Sequence, residues 1–109
     1  MEALEDFLHT IGALNDETRV KLLKFIYLHG ALCVCDLENS FEMIQSRLSR
    51  HLKILKEAGF LSVKREGRWA YYNIRTPIDA YRQASIDEIK ALPLSLPKLK
   101  RLSKECCTL

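Results

Sequence analysis

The stretch from Gln45 to Ile74 constrains this chain most, because its apolar period changes from that of a helix to that of a strand across a single glycine. From Gln45 to Glu57, at about 100° per residue, Leu48, Leu52 and Leu55 share one face while Ser46, Ser49, Arg50 and Lys53 point the other way. Gly59 suits a left-handed helix stop. Leu61 to Arg65 and Arg68 to Ile74 then alternate polar with β-branched and aromatic residues, which predicts two strands turning at Glu66-Gly67. An exposed basic helix followed at once by a basic hairpin predicts a mainly α (α+β) fold, a winged helix-turn-helix with a two-stranded β-wing.

Charge is segregated in the same place. Gln45 to Arg75 holds Arg47, Arg50, Lys53, Lys56, Lys64, Arg65, Arg68 and Arg75 against only Glu57 and Glu66. The chain as a whole carries just +3, and the first 44 residues carry −5. A solvated face mixes both signs, so this segment reads as a phosphate-binding surface for double-stranded DNA. Gln45, Ser46, Arg47, Ser49, Arg50, His51 and Lys53 on the helix, with Lys64, Arg65 and Arg68 on the wing, are the candidate DNA contacts.

Upstream, Leu4, Phe7, Leu8 and Ile11 fall at helical spacing, and Asn15-Asp16-Glu17-Thr18 opens a second helix that runs to Gly30. Cys33 to Leu37 reads as the start of a third helix, paired with the Gln45 helix through a turn near Asn39 to Glu42. After Pro77, the spacing of Ile78, Tyr81, Ser85, Ile89 and Leu92 predicts a fifth. With 109 residues to supply a single core, the first and fifth helices have apolar stripes left over. Leu4, Phe7, Leu8, Ile11, Tyr81 and Ile89 are therefore candidates for a two-fold homodimer interface. Residues 1–92 read as the DNA-binding and dimerisation domain, and residues 93–109, broken by Pro93 and Pro97, as a tail with vicinal cysteines.

No apolar run reaches the roughly 18 residues that span a bilayer, and the acidic start is unlike a signal peptide, so a cytoplasmic protein without a membrane partner is expected. There the cysteine pairs, Cys33 with Cys35 and Cys106 with Cys107, point to soft-ion binding or redox chemistry rather than structural disulfides. A helix start beside Cys33 and Cys35 favours thiolate, the metal-binding form. For a soft ion that takes three sulfur ligands, Cys33 and Cys35 supply two, and Cys106 or Cys107 could supply another from the same subunit or across a dimer. His9, His29 and His51 are not spaced as a ligand set, and no nucleophile triad, phosphate-cradling loop or supported carboxylate pair argues for catalysis.

Leu32-Cys33-Val34-Cys35-Asp36-Leu37, then Leu48-Ser49-Arg50-His51-Leu52, Leu55-Lys56-Glu57-Ala58-Gly59 and Gly67-Arg68-Trp69-Ala70-Tyr71-Tyr72, closely resemble the ArsR/SmtB family of metalloregulatory repressors. The cysteine-valine-cysteine-aspartate-leucine stretch resembles the arsenic-sensing branch. The resemblance implies a homodimer that represses a metalloid-resistance operon, requires no cofactor, and leaves its operator when As(III) or Sb(III) binds cysteine thiolates. Glu38 stands where the best-known arsenic sensors carry a third cysteine, and Ile44 where the family usually starts its DNA-reading helix with serine or threonine. The fifth helix lacks the histidines of the family's interhelical zinc site, so zinc is the less expected ligand. A zinc- or cadmium-responsive repressor, a redox-switched repressor and a thiol redox protein are the alternatives.

Overall fold

The computed structural model describes residues 2–101. Asp16 caps the second helix by accepting from the Arg19 N–H at 3.0 Å, and Gly30, at φ +82°, stops it, giving α2 over Glu17–His29. Before it runs α1, Ala3–Ala13. After it come β1 (Leu32–Cys33), α3 (Val34–Phe41), α4 (Gln45–Glu57), β2 (Leu61–Glu66), β3 (Trp69–Ile74) and α5 (Ala80–Ala91).

The apolar stripe of α4 goes where its spacing sends it. Leu48, Leu52 and Leu55 are fully buried against Leu22, Leu23, Phe25 and Ile26 of α2, Leu37 of α3, and Phe60 and Leu61. Each such side chain contributes roughly 1.5–3 kcal/mol on leaving water. Burying that face fixes the opposite, basic face outward.

Two sequence expectations are corrected here. The wing is part of a three-stranded antiparallel sheet of order β1-β3-β2, with Cys33 opposite Tyr71 and Tyr71 opposite Lys64. Cys33 thus ends a strand and caps α3 instead of lying inside the helix: its side chain accepts from the Asp36 N–H, and the Asp36 carboxylate accepts from the Cys33 N–H. The hairpin turn is Gly67-Arg68, one residue later than expected, because Glu66 still pairs with Trp69 and the positive φ, +65°, falls on Gly67.

Ile89 is also corrected. It is only 5% exposed, sharing the core with Ile86, and so is not part of an outward face. Leu4, Phe7, Leu8, Ile11 and Tyr81 do remain exposed, with the Phe7 and Tyr81 rings 5.9 Å apart across α1 and α5.

Beyond α5 the chain folds back. Lys24 Nζ donates to the Leu92 carbonyl at 2.6 Å, Leu96 and Leu99 pack on the core, and the Lys100 N–H donates to buried Ser40 Oγ at 2.8 Å. No helix among the described residues is long and apolar enough to cross a membrane.

Candidate nucleic-acid interface and thiol groove

The first turn of α4 is uncapped. Ile44 precedes it in extended conformation, 69% exposed, and offers the leading N–H groups no side-chain acceptor. Such an open helix start, flanked by cations, is suited to a phosphate oxygen. Gln45, Ser46, Arg47, Arg50 and Lys53 are exposed around it, and Ser49 is half-buried.

On the wing, Lys64, Arg65 and Arg68 are exposed. Lys64 lies 3.7 Å from Glu66, with both side chains largely in solvent. A pair of that kind contributes little and can be given up for a phosphate.

His51 is turned away from this surface. Its Nδ1 lies 3.2 Å from Arg19 Nη1 and 3.9 Å from Asp16, on the inward edge of α4. It braces α4 against α2, so of the expected DNA contacts on α4 it is the one engaged inside the protein. Arg19 ties the same corner to the end of α1, donating Nε–H to the Ala13 carbonyl at 2.8 Å.

Arg82 does the corresponding job at the far end of α4. Its Nε donates to the Ala58 carbonyl at 2.7 Å, Nη2 to Thr10 Oγ1 at 3.0 Å, and Nη1 to Asp79 at 2.7 Å. Neither arginine carried a sequence signal, because each links elements far apart in the chain.

Between the start of α3, the start of α4 and the wing lies an open groove of about 740 Å³. Cys33 and Cys35 line it, together with Gln45 and Ser49 of α4 and Arg65 and Arg68 of the wing. Cys33 is buried and Cys35 half-buried. A soft ion held there would sit beside residues from both DNA-facing elements. Cys106 and Cys107, the other expected ligands, lie outside the described residues.

The family profile described as "Bacterial regulatory protein, arsR family" matches residues 16–63. An arsenic resistance transcriptional regulator of Pseudomonas putida is 38% identical over 73 residues, 67% of this chain and 57% of its own length. An arsenical resistance operon repressor of Bacillus subtilis is 38% identical over 73 residues, 67% of this chain and 70% of its own length. This chain therefore spans little more than half the length of the first relative and 70% of the second. Among solved structures, the homodimeric winged helix-turn-helix DNA-binding domain of a possible ArsR-family regulator from Mycobacterium bovis superposes with a TM-score of 0.68. It is 22% identical, and the match covers 80% of this chain and 77% of that one.

Proposed function

This chain belongs to the arsR family of bacterial regulatory proteins, transcriptional regulators rather than enzymes, and on that premise we propose a ligand-released repressor. It binds the double-stranded operator of a metalloid-resistance operon as a homodimer, and it leaves when trivalent arsenic or antimony is bound by the Cys33 and Cys35 thiolates. The observation that carries the reading is the shared groove, lined at once by both cysteines, the start of α4 and the wing.

The coupling runs through Cys33. It is the last residue of β1, paired with Tyr71 of β3, and it is the N-cap of α3, held to Asp36. Drawing Cys33 and Cys35 onto one ion pulls on the wing through β3 and on the start of α3, which packs against α4. Release follows only if the ion binds the DNA-free geometry more tightly than the DNA-bound one. Soft thiolates suit such an ion. On the DNA, two α4 helices related by the dimer axis enter successive major grooves roughly 34 to 36 Å apart, which demands a near-palindromic operator.

The test is operator binding titrated with arsenite under a non-thiol reductant. Cys33→Ser keeps a good N-cap, so the variant should bind operator like wild type and fail to release it. Loss of DNA binding in that variant would instead make Cys33 a structural residue. Arg50→Ala should weaken specific binding more than random-DNA binding, whereas Lys64→Ala should weaken both alike and lower the salt slope by about 1.

A further inference from the structure

We propose that residues 92–101, the segment after α5, form a further DNA-contacting arm, in which Lys98 and Lys100 bind backbone phosphates beside the start of α4 without reading sequence. This rests on the reading that α4 and the wing bind DNA, and it adds a surface that lies outside the basic helix and hairpin.

Three observations carry it. First, the arm is docked with its cations outward. Leu96 and Leu99 pack on the core, while Lys98, Lys100 and Arg101 are exposed. Pro93 and Pro97 fix their own φ at about −65°, which narrows the undocked ensemble and lowers the entropy lost on docking. Both backbone polar groups of Lys100 are tied to α3: the N–H donates to buried Ser40 Oγ at 2.8 Å, and the carbonyl accepts from Asn39 Nδ2 at 3.5 Å. Arg101 adds a third tie, with Nη1 3.9 Å from the buried Asp36 carboxylate.

Second, the arm is docked where a duplex would arrive. Glu42 is the left-handed C-cap of α3, at φ +52°, and Ile44, two residues on, precedes the uncapped start of α4. Lys100 Nζ lies 3.2 Å from Glu42 Oε2. Its ammonium is thus carried to the turn that joins α3 to α4, close to N–H groups suited to a phosphate oxygen. In helix-turn-helix docking the second helix enters the major groove while the first crosses the backbone. An arm tied along α3 is therefore on the element nearest the phosphates.

Third, the charges are sorted. From Val34 to Glu42 the chain carries Asp36, Glu38 and Glu42 and no lysine or arginine, whereas residues 92–101 carry Lys98, Lys100 and Arg101 and no acid. Left bare, that acidic helix would repel the backbone it must cross. The side chains of the Lys100–Glu42 pair are 51% and 77% exposed. A pair so open to water contributes little, and the ammonium can exchange its carboxylate for a phosphate at small cost.

The experiment measures affinity of the full-length protein over a salt series, for a duplex that wild type selects from a random library and for a random duplex of equal length. Samples are wild type, K98Q/K100Q, K100Q, E42Q and K100Q/E42Q; the glutamines leave the Ser40, Asn39 and Asp36 ties in place. K98Q/K100Q should weaken both duplexes by the same factor and lower the salt slope by about 2 per bound protomer. K100Q should cost as much affinity in the E42Q background as in wild type. An unchanged slope in K98Q/K100Q overturns the arm as a phosphate contact. A loss confined to the selected duplex also overturns it, since the arm would then act by orienting α3. If K100Q costs nothing once Glu42 is neutral, Lys100 only cancels that carboxylate and the proposal falls. Wild type that binds neither duplex would instead sink the underlying DNA-binding reading, an outcome distinct from the other three.

Discussion

His51 holds a proton balance that solution work can read. Arginine has no acceptor, so the 3.2 Å contact makes His51 Nδ1 the acceptor and leaves the ring neutral with its proton on Nε2. Burial lowers its pKa below the ordinary 6.5; Asp16 opposes this, while Arg19, Arg47 and Arg50 reinforce it. As pH falls below 6.5 the unfolded chain takes up the proton first, so the folded state loses stability until the lowered pKa is passed. Denaturation midpoints should therefore fall as pH drops through the ordinary 6.5 toward the lowered pKa, and His51→Gln should remove part of that fall. An unchanged pH profile in that variant would mean the ring titrates as it does in water. The motif that contains His51 is legible in the sequence, but its direction is not: a residue at the edge of a helical face is assigned by whichever neighbour lies nearest, here Arg19, which is remote in sequence.

At the level of elements, Gly59 and Gly67 separate backbone freedom from packing. Both have positive φ, +88° and +65°, where a side chain costs about 1–2 kcal/mol. A Cβ on Gly67 would meet nothing within 4 Å, whereas on Gly59 it would lie 2.7 Å from Arg82 Nε. Gly67→Ala should thus cost about 1 kcal/mol. Gly59→Ala should cost about 3 kcal/mol, because Arg82 must also leave the Ala58 carbonyl. Urea unfolding distinguishes the two, and equal losses would show that the Arg82 link adds no stability. Gly59 was readable as a stop and the hairpin as a hairpin, since turn chemistry and alternation are local. β1 was not, because two residues carry no period and a cysteine N-cap lacks the usual serine, threonine, aspartate or asparagine signal. The return of the chain onto α3 was hidden for the same reason: Lys100 meets Ser40 and Arg101 lies near Asp36 through single contacts rather than any repeating pattern. The basic face and the cysteine pair of the groove were legible, but their meeting in one groove depends on the β1–β3 pairing.

For the whole molecule, the outward apolar face of α1 and α5 is the surface proposed for assembly. Leu4, Phe7 and Leu8 are 62%, 49% and 55% exposed, with Ile11 and Tyr81 beside them. Under two-fold symmetry each of these residues is buried twice. Arg82 lies on α5, touches Thr10 of α1 and holds the Ala58 carbonyl at the end of α4, so the same two helices that would form the interface also orient the DNA-facing helix. Dimerisation should then matter to operator binding in two ways, through avidity and through the relative angle of the two α4 helices. Leu8→Glu places a charge on this face while leaving the monomer core untouched. It should give a folded monomer by sedimentation, with an unchanged far-ultraviolet spectrum and operator affinity lower by roughly 10²-fold or more, as expected when one half-site is engaged instead of two. A variant that remains dimeric would move the interface away from α1 and toward exposed Tyr27 and Leu28 of α2. A monomer with undiminished operator affinity would mean that a single α4 and wing suffice for recognition, and the requirement for a near-palindromic operator would fall with it.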